Sequence, residues 1–177
     1  MGRKTMSLLS WTEVLTTTWQ RLARADRLPR VAVLGIGNAL NGDDGAGPAV
    51  VRCLQALVPP RPDLLLLDSG VAPENETGVL RRFAPDLVLL LDAAQMDAPP
   101  GTVRWVPCEL LSGVSASTHS LPLSLLATYL QAELGCQVAL LGIQPATNEV
   151  GTPLSPPVRA AVETVAEALA GLWLIRQ

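Results

Sequence analysis

Two kinds of apolar pattern alternate along the chain. Short apolar runs bounded by proline, glycine or polar residues predict five strands. The first begins at Val31, and the other four span residues 64–67, 86–92, 102–106 and 137–143. Between the strands, apolar residues recur every three or four positions, which predicts helices near residues 44–58, 77–83, 122–134 and 156–172. This alternation predicts an α/β fold, a three-layer α/β/α sandwich around a mostly parallel sheet, with residues 102–106 as an antiparallel edge strand.

Residues 1–30 precede this pattern and predict a helical extension. Ser10 and Glu13 have the spacing of a capping box, and apolar residues from Trp11 to Leu22 follow at helical spacing. We therefore expect an N-terminal helical extension over residues 1–30 and a single α/β/α domain over residues 31–177.

A glycine-rich loop joins the first strand to the first helix of the domain. Gly35 and Gly37 suggest a dinucleotide fingerprint, but Leu40 occupies the position where the third glycine belongs. Asp43 and Asp44 then place two carboxylates at a helix N-terminus, where a phosphate would otherwise bind. The loop therefore suits a cation better than an anion. For Asp43 a helix-capping role is the preferred interpretation.

Composition narrows the class of protein. Hydrophobic residues make up 49% of the 177 residues and charged residues only 16%, which is typical of a globular domain with a large core. The net charge of −3 argues against nucleic-acid binding, and no apolar stretch reaches membrane-spanning length. Cys53, Cys108 and Cys136 form no CxxC pair, which favours buried, inert thiols in a reducing, cytoplasmic compartment.

Carboxylates follow three of the predicted strands. Asp44 follows the first, Asp68 the second and Asp92 the third, while the single histidine, His119, lies in a polar loop predicted over residues 110–121. Because parallel strands bring these loops to one edge of the sheet, two carboxylates and the imidazole are a ligand set suited to nickel, zinc or another divalent metal. Spacing alone is a weak signal, and a lone histidine before a helix is more often a surface residue.

Five motifs in order carry a resemblance to a known family. They are GIGNALNGDDGAGP, DSGVAPEN, LLLDAA, STHSLPL and LGIQP. The chain from Val31 to its final helix resembles the NiFe hydrogenase maturation endopeptidases, most nearly the type that processes the hydrogenase of formate hydrogenlyase. The N-terminal helix has no counterpart in the short family members.

The resemblance implies a twisted five-stranded sheet, a metal site and a reaction. Asp44, Asp92 and His119 fall on the family's metal ligands, and Asp68 is then a loop-structuring or supporting residue. Such enzymes remove the C-terminal extension of the hydrogenase large-subunit precursor after nickel insertion. We expect the nickel to arrive with the substrate, the precursor to be the partner, and the protein to be a monomer.

Two alternatives belong to other classes of protein. A non-catalytic nickel chaperone or adaptor would use the same three ligands, and a nucleotide-binding oxidoreductase is opposed by the missing glycine and the two aspartates. Serine and cysteine catalysis are poorly supported, because residues 113–117 do not form a GxSxG elbow and nothing places Cys108 beside His119.

Overall fold

The computed structural model describes residues 9–113, 115–116 and 121–174. Its strands are β1 (Val31–Ile36), β2 (Leu64–Gly70), β3 (Leu87–Gln95), β4 (Val103–Pro107), β5 (Ser115–Ala116) and β6 (Gln137–Ile143). The main sheet has the order β2-β1-β3-β6-β4. β2, β1, β3 and β6 are parallel, and β4 lies antiparallel to β6 at the edge. The predicted fold class and the antiparallel edge strand are confirmed.

Helices cover both faces of the sheet. They are α1 (Trp11–Leu22), α2 (Ala46–Leu57), α3 (Thr77–Phe83), α4 (Leu123–Leu134) and α5 (Pro156–Leu174). α1, α2 and α5 enclose one apolar core, whereas α3 and α4 enclose the other. β1 and β3 are buried along almost their whole length because they contribute alternate side chains to both cores.

The N-terminal helix packs into the first core. Ser10 and Glu13 form the predicted capping box, with Glu13 N donating to Ser10 Oγ and Ser10 N donating to Glu13 Oε2. Trp19 is 2% exposed and packs edge-to-face on Trp173 of α5, with ring centroids 4.9 Å apart. The domain boundary at residue 30 stays a prediction, but α1 shares a core with the sheet.

Two local structures differ from the sequence-based expectation. A 3₁₀ helix over Gly42–Gly45 precedes α2, so Asp43 and Asp44 lie before the α-helix instead of in its first turn. The predicted polar loop also contains regular structure: a 3₁₀ helix at Cys108–Gly113 and the two-residue strand β5, which pairs antiparallel with the end of β3. Among the described residues, no helix has the length and apolar character needed to cross a membrane.

Candidate active site

The candidate site lies at the carboxyl ends of β1 and β3, where the glycine loop meets the sheet. Gly37 adopts φ +130° and its Cα faces the backbone carbonyl of Asp44 so closely that a Cβ would overlap it. Gly47, in the first turn of α2, is packed against Ile36 and Leu91 in the same way. These contacts require glycine, and they bring the 3₁₀ helix and the first turn of α2 against the end of β1 and against Leu91 of β3.

Asp44 is buried at 1% exposure, and its two carboxylate oxygens differ in environment. Asn38 N donates to Asp44 Oδ2 at 2.8 Å. Asp44 Oδ1 is equally inaccessible to solvent, yet no described residue donates a hydrogen bond to it. A buried carboxylate oxygen of this kind is costly unless a donor or a cation completes it.

Asp92 is completely buried in β3, where it pairs with Gly142 of β6. Val88, Leu90 and Ala94, at even spacing from Asp92, pack in the core under α3 and α4. Because side chains alternate along a strand, the Asp92 carboxylate points to the face that α4 covers. The register also places Gly35 of β1 opposite Leu91, so the end of β1 lies beside Asp92.

Asp43 does not cap a helix, which corrects the interpretation made from sequence. Ala146 N and Thr147 N donate to Asp43 Oδ2 at 2.8 and 3.2 Å. Ser155 donates through its backbone N to Oδ1 at 2.6 Å and through its hydroxyl to Oδ2 at 2.8 Å. Burial raises the pKa of Asp43, but these hydrogen bonds from Ser155, Ala146 and Thr147 outweigh it and hold the pKa below its usual value.

Asp68 does not follow β2 but lies within it, at a register shift between β1 and β2. Its side chain is 43% exposed and forms an ion pair with Arg52 of α2 at 3.1 Å. The predicted loop-structuring role is therefore wrong, because the carboxylate links a strand to the outer surface of a helix; the alternative of a supporting role stays a prediction.

His119 lies outside the described residues. The described residues contain no cluster of three or more His, Cys, Asp and Glu side chains that could hold a metal ion. The structure thus brings Asp44 and Asp92 to one edge of the sheet and leaves the third predicted ligand a prediction.

A buried amide at the same edge was missed by the sequence analysis. Gln144 is 5% exposed; its Oε1 accepts from Met96 N at 2.7 Å and its Nε2 donates to Gln95 Oε1 at 2.8 Å. Gln95 in turn pairs with Ser115 of β5. The LGIQP motif was the available signal, but only the fold shows that its glutamine ties the end of β6 to the end of β3.

The cysteines stand apart from this edge. Cys108 and Cys136 are buried, as predicted, whereas Cys53 is only partly buried. Burial raises the pKa of the Cys136 thiol to about 11 and also raises that of Cys108. Neither thiol is activated as a nucleophile.

The sequence and the fold are similar to those of known proteins. A family model described as hydrogenase maturation protease matches residues 48–172. The chain is 36% identical over 141 residues to the hydrogenase 3 maturation protease of Escherichia coli K12, covering 78% of this chain and 88% of that one. It is 31% identical over 146 residues to a putative hydrogenase maturation protease of Methanocaldococcus jannaschii, covering 79% and 86% of the two chains.

A solved structure supports the same relationship. The crystal structure of a NiFe hydrogenase maturation protease from Thermococcus kodakarensis superposes with a TM-score of 0.75 at 34% identity. The match covers 81% of this chain and 92% of the other.

Proposed function

Because the chain belongs to the hydrogenase maturation protease family, we propose that it is an endopeptidase that removes the C-terminal extension of a NiFe hydrogenase large-subunit precursor once nickel has been inserted. Asp44, Asp92 and His119 are the proposed ligands. The hydrogenase of a formate hydrogenlyase is the proposed source of the precursor, as the resemblance of the five sequence motifs implies.

The observation that carries the proposal is the Asp44 carboxylate. One oxygen is held by Asn38 N, while the other is buried with no donor among the described residues. Such an oxygen fits a metal ion, and an oxygen and imidazole donor set suits a borderline divalent cation such as nickel. Asp92, buried on the neighbouring strand at the same edge, adds a second carboxylate.

Chain connectivity supports the inclusion of His119. β5 ends at Ala116, which pairs with Ala94, two residues beyond Asp92. His119 follows Ala116 by only three residues in the sequence, and for that reason we propose it as the third ligand. The chain then continues into α4, which covers the face to which Asp92 points.

Nickel enters this proposal as part of the substrate. When bound, the metal would polarise the scissile carbonyl or activate water. The chain's own contribution is to hold Asp44 rigidly through Asn38 and Gly37, and to offer one of the two carboxylates as a general base. If cleavage requires the metal, only a nickel-loaded precursor is processed, because a nickel-free precursor brings no metal ion to join it to the ligands of the protease.

The proposed setting is the cytoplasm, with the protein acting as a monomer. The buried, unreactive thiols of Cys108 and Cys136 support a reducing compartment.

The test compares nickel-loaded with nickel-free precursor by intact mass. We expect the loaded precursor alone to lose its C-terminal extension. Replacing His119 with Ala should abolish processing and leave the melting temperature near that of the wild type. Cleavage of the nickel-free precursor at a normal rate would refute nickel dependence, and a folded, active H119A variant would remove His119 from the site. Binding of the loaded precursor without any change in its mass would identify a chaperone or adaptor instead.

A further inference from the structure

The two most exposed large apolar side chains among the described residues lie on neighbouring loops beside the candidate site. Leu40 is 72% exposed and Val150 is 75% exposed. Leu40 belongs to the glycine loop and Val150 to the loop between β6 and α5. The backbones of the two loops are joined next to these side chains, since Gly151 N donates to Leu40 O at 2.7 Å.

The backbone that carries each of these side chains is held in place. Leu40 N donates to Asn38 Oδ1 at 3.0 Å, so both backbone polar groups of Leu40 are bonded. Val150 occupies the second position of a turn that Thr152 N closes on Glu149 O, and Gly151 supplies the φ of +80° in the third position. The Asp43 carboxylate also links the two loops, because it accepts hydrogen bonds from the backbone of Ala146, Thr147 and Ser155.

The loop that presents Leu40 also forms part of the candidate site. Asp44 N donates to Asn41 O, and Asn38 N donates to the Asp44 carboxylate, so the loop that presents Leu40 also encloses Asp44. Because the backbone of both loops is already fixed by hydrogen bonds, a partner that covers these side chains has little backbone ordering left to impose. A protease that cuts a polypeptide must hold the chain on at least one side of the scissile bond.

We propose that Leu40 and Val150 form a docking patch for an apolar segment of the precursor close to the scissile bond. This inference rests on the proposed function, because it takes the precursor as the occupant. The occupant is a polypeptide with aliphatic or aromatic side chains, and the patch contributes to substrate binding and not to the chemical step.

The test uses the double variant L40S/V150S with nickel-loaded large-subunit precursor as the probe. Losing two buried apolar contacts should raise KM about tenfold, and kcat should stay within about twofold of the wild type. The matched control is Leu57→Ser, since Leu57 is exposed at the other end of α2, and its KM should not change. Thermal unfolding of all three proteins should show similar midpoints.

An unchanged KM in L40S/V150S, an equal rise in Leu57→Ser, or a fall in kcat alone would overturn the proposal. A wild-type dimer that becomes monomeric in L40S/V150S would identify a second copy as the occupant and would also overturn it.

Titration of labelled precursor separates this inference from the proposed function. Binding that weakens about tenfold in the double variant supports the patch even if the wild type does not cut. If L40S/V150S cuts the precursor with the Kd and KM of the wild type, the patch alone is refuted. If the wild type neither binds nor cuts the precursor, both the patch and the proposed function are refuted.

Discussion

Ser155 donates two hydrogen bonds to the carboxylate of Asp43, from its backbone N at 2.6 Å and its hydroxyl at 2.8 Å, across a sequence separation of 112 residues. Asp43 and Asp44 are adjacent, but they face different partners. Asp43 binds the loop before α5, whereas Asp44 turns towards Asn38 and the strand ends. One carboxylate therefore fixes the loops and the other is left available for chemistry.

Replacing Asp43 with Asn should destabilise the protein in a pH-dependent way. The NH₂ group of Asn cannot accept hydrogen bonds from the backbone N–H groups that now bind the carboxylate. We therefore expect a loss of about 2–4 kcal/mol in the free energy of unfolding at pH 7. Because the pKa of Asp43 is lowered in the folded state, its stabilisation is complete above the unfolded pKa and disappears as the pH falls through the folded value. The difference between wild type and D43N should therefore shrink below about pH 4.

Urea unfolding at pH 7 and pH 3 measures this difference. The control is Glu163→Gln on the exposed face of α5, which should change stability by no more than about 0.5 kcal/mol. A stability difference that persists unchanged at pH 3 would contradict the role of the Asp43 charge.

Replacing Asp44 or Asp92 with Asn should abolish processing without unfolding the chain. Each amide keeps the shape of the carboxylate but removes the charge, and we expect at least about a 100-fold loss in the cleavage rate. Cleavage of loaded precursor is measured beside circular dichroism melting of each variant. Glu133→Gln is the control, because Glu133 pairs with Arg81 on an exposed surface. This variant should cleave the precursor at the wild-type rate. Activity within a few-fold of wild type in D44N or D92N would exclude that carboxylate from the site.

Replacing Gly47 with Ala should disturb the site through packing. The added Cβ would overlap the Leu91 carbonyl and lie 2.5 Å from Ile36 O, so α2 must move away from both strands. We expect a loss of about 1–3 kcal/mol in stability and reduced cleavage. Gly78→Ala in α3 is a matched helical control, since its nearest neighbour is a flexible Arg82 atom at 3.8 Å; it should be neutral or stabilising by up to about 1 kcal/mol. Equal melting temperatures for G47A and wild type would refute this packing role.

Replacing Trp19 with Ala should show that α1 is part of the core. Trp19 is buried against Trp173, so the cavity should cost about 3–5 kcal/mol in the free energy of unfolding. Chemical unfolding followed by tryptophan fluorescence and circular dichroism gives the value. Leu125→Ala, at a side chain that is 58% exposed, should change stability by less than about 1 kcal/mol. A W19A protein as stable as that control would mean that α1 is a detachable appendage.

The main strands and helices were accessible from sequence because their signals are local. Apolar runs marked the buried strands, and apolar residues at helical spacing marked α4, which ends at Gly135 with φ +64°. The edge that carries Asp44 and Asp92 also followed, since parallel strands bring their carboxyl ends together.

The remaining features depend on contacts that local patterns do not encode. Asp43 looked like a helix cap because its partners at residues 146–155 are far away in the chain. Asp68 looked like a loop residue because nothing in the sequence marked the register shift inside β2. β5 has only two residues, which is too short for any periodicity, and it is defined by pairing with Ala94 and Gln95.

The edge-to-face contact between Trp19 and Trp173 has a consequence for biosynthesis. At a translation rate of roughly 5–20 residues per second, Trp19 leaves the ribosome long before its partner ring exists. For most of that interval α1 offers an apolar face with nothing to cover it, which is the kind of surface that holdase chaperones engage. The nascent chain therefore completes the apolar core between α1, α2 and α5 only when α5 has emerged.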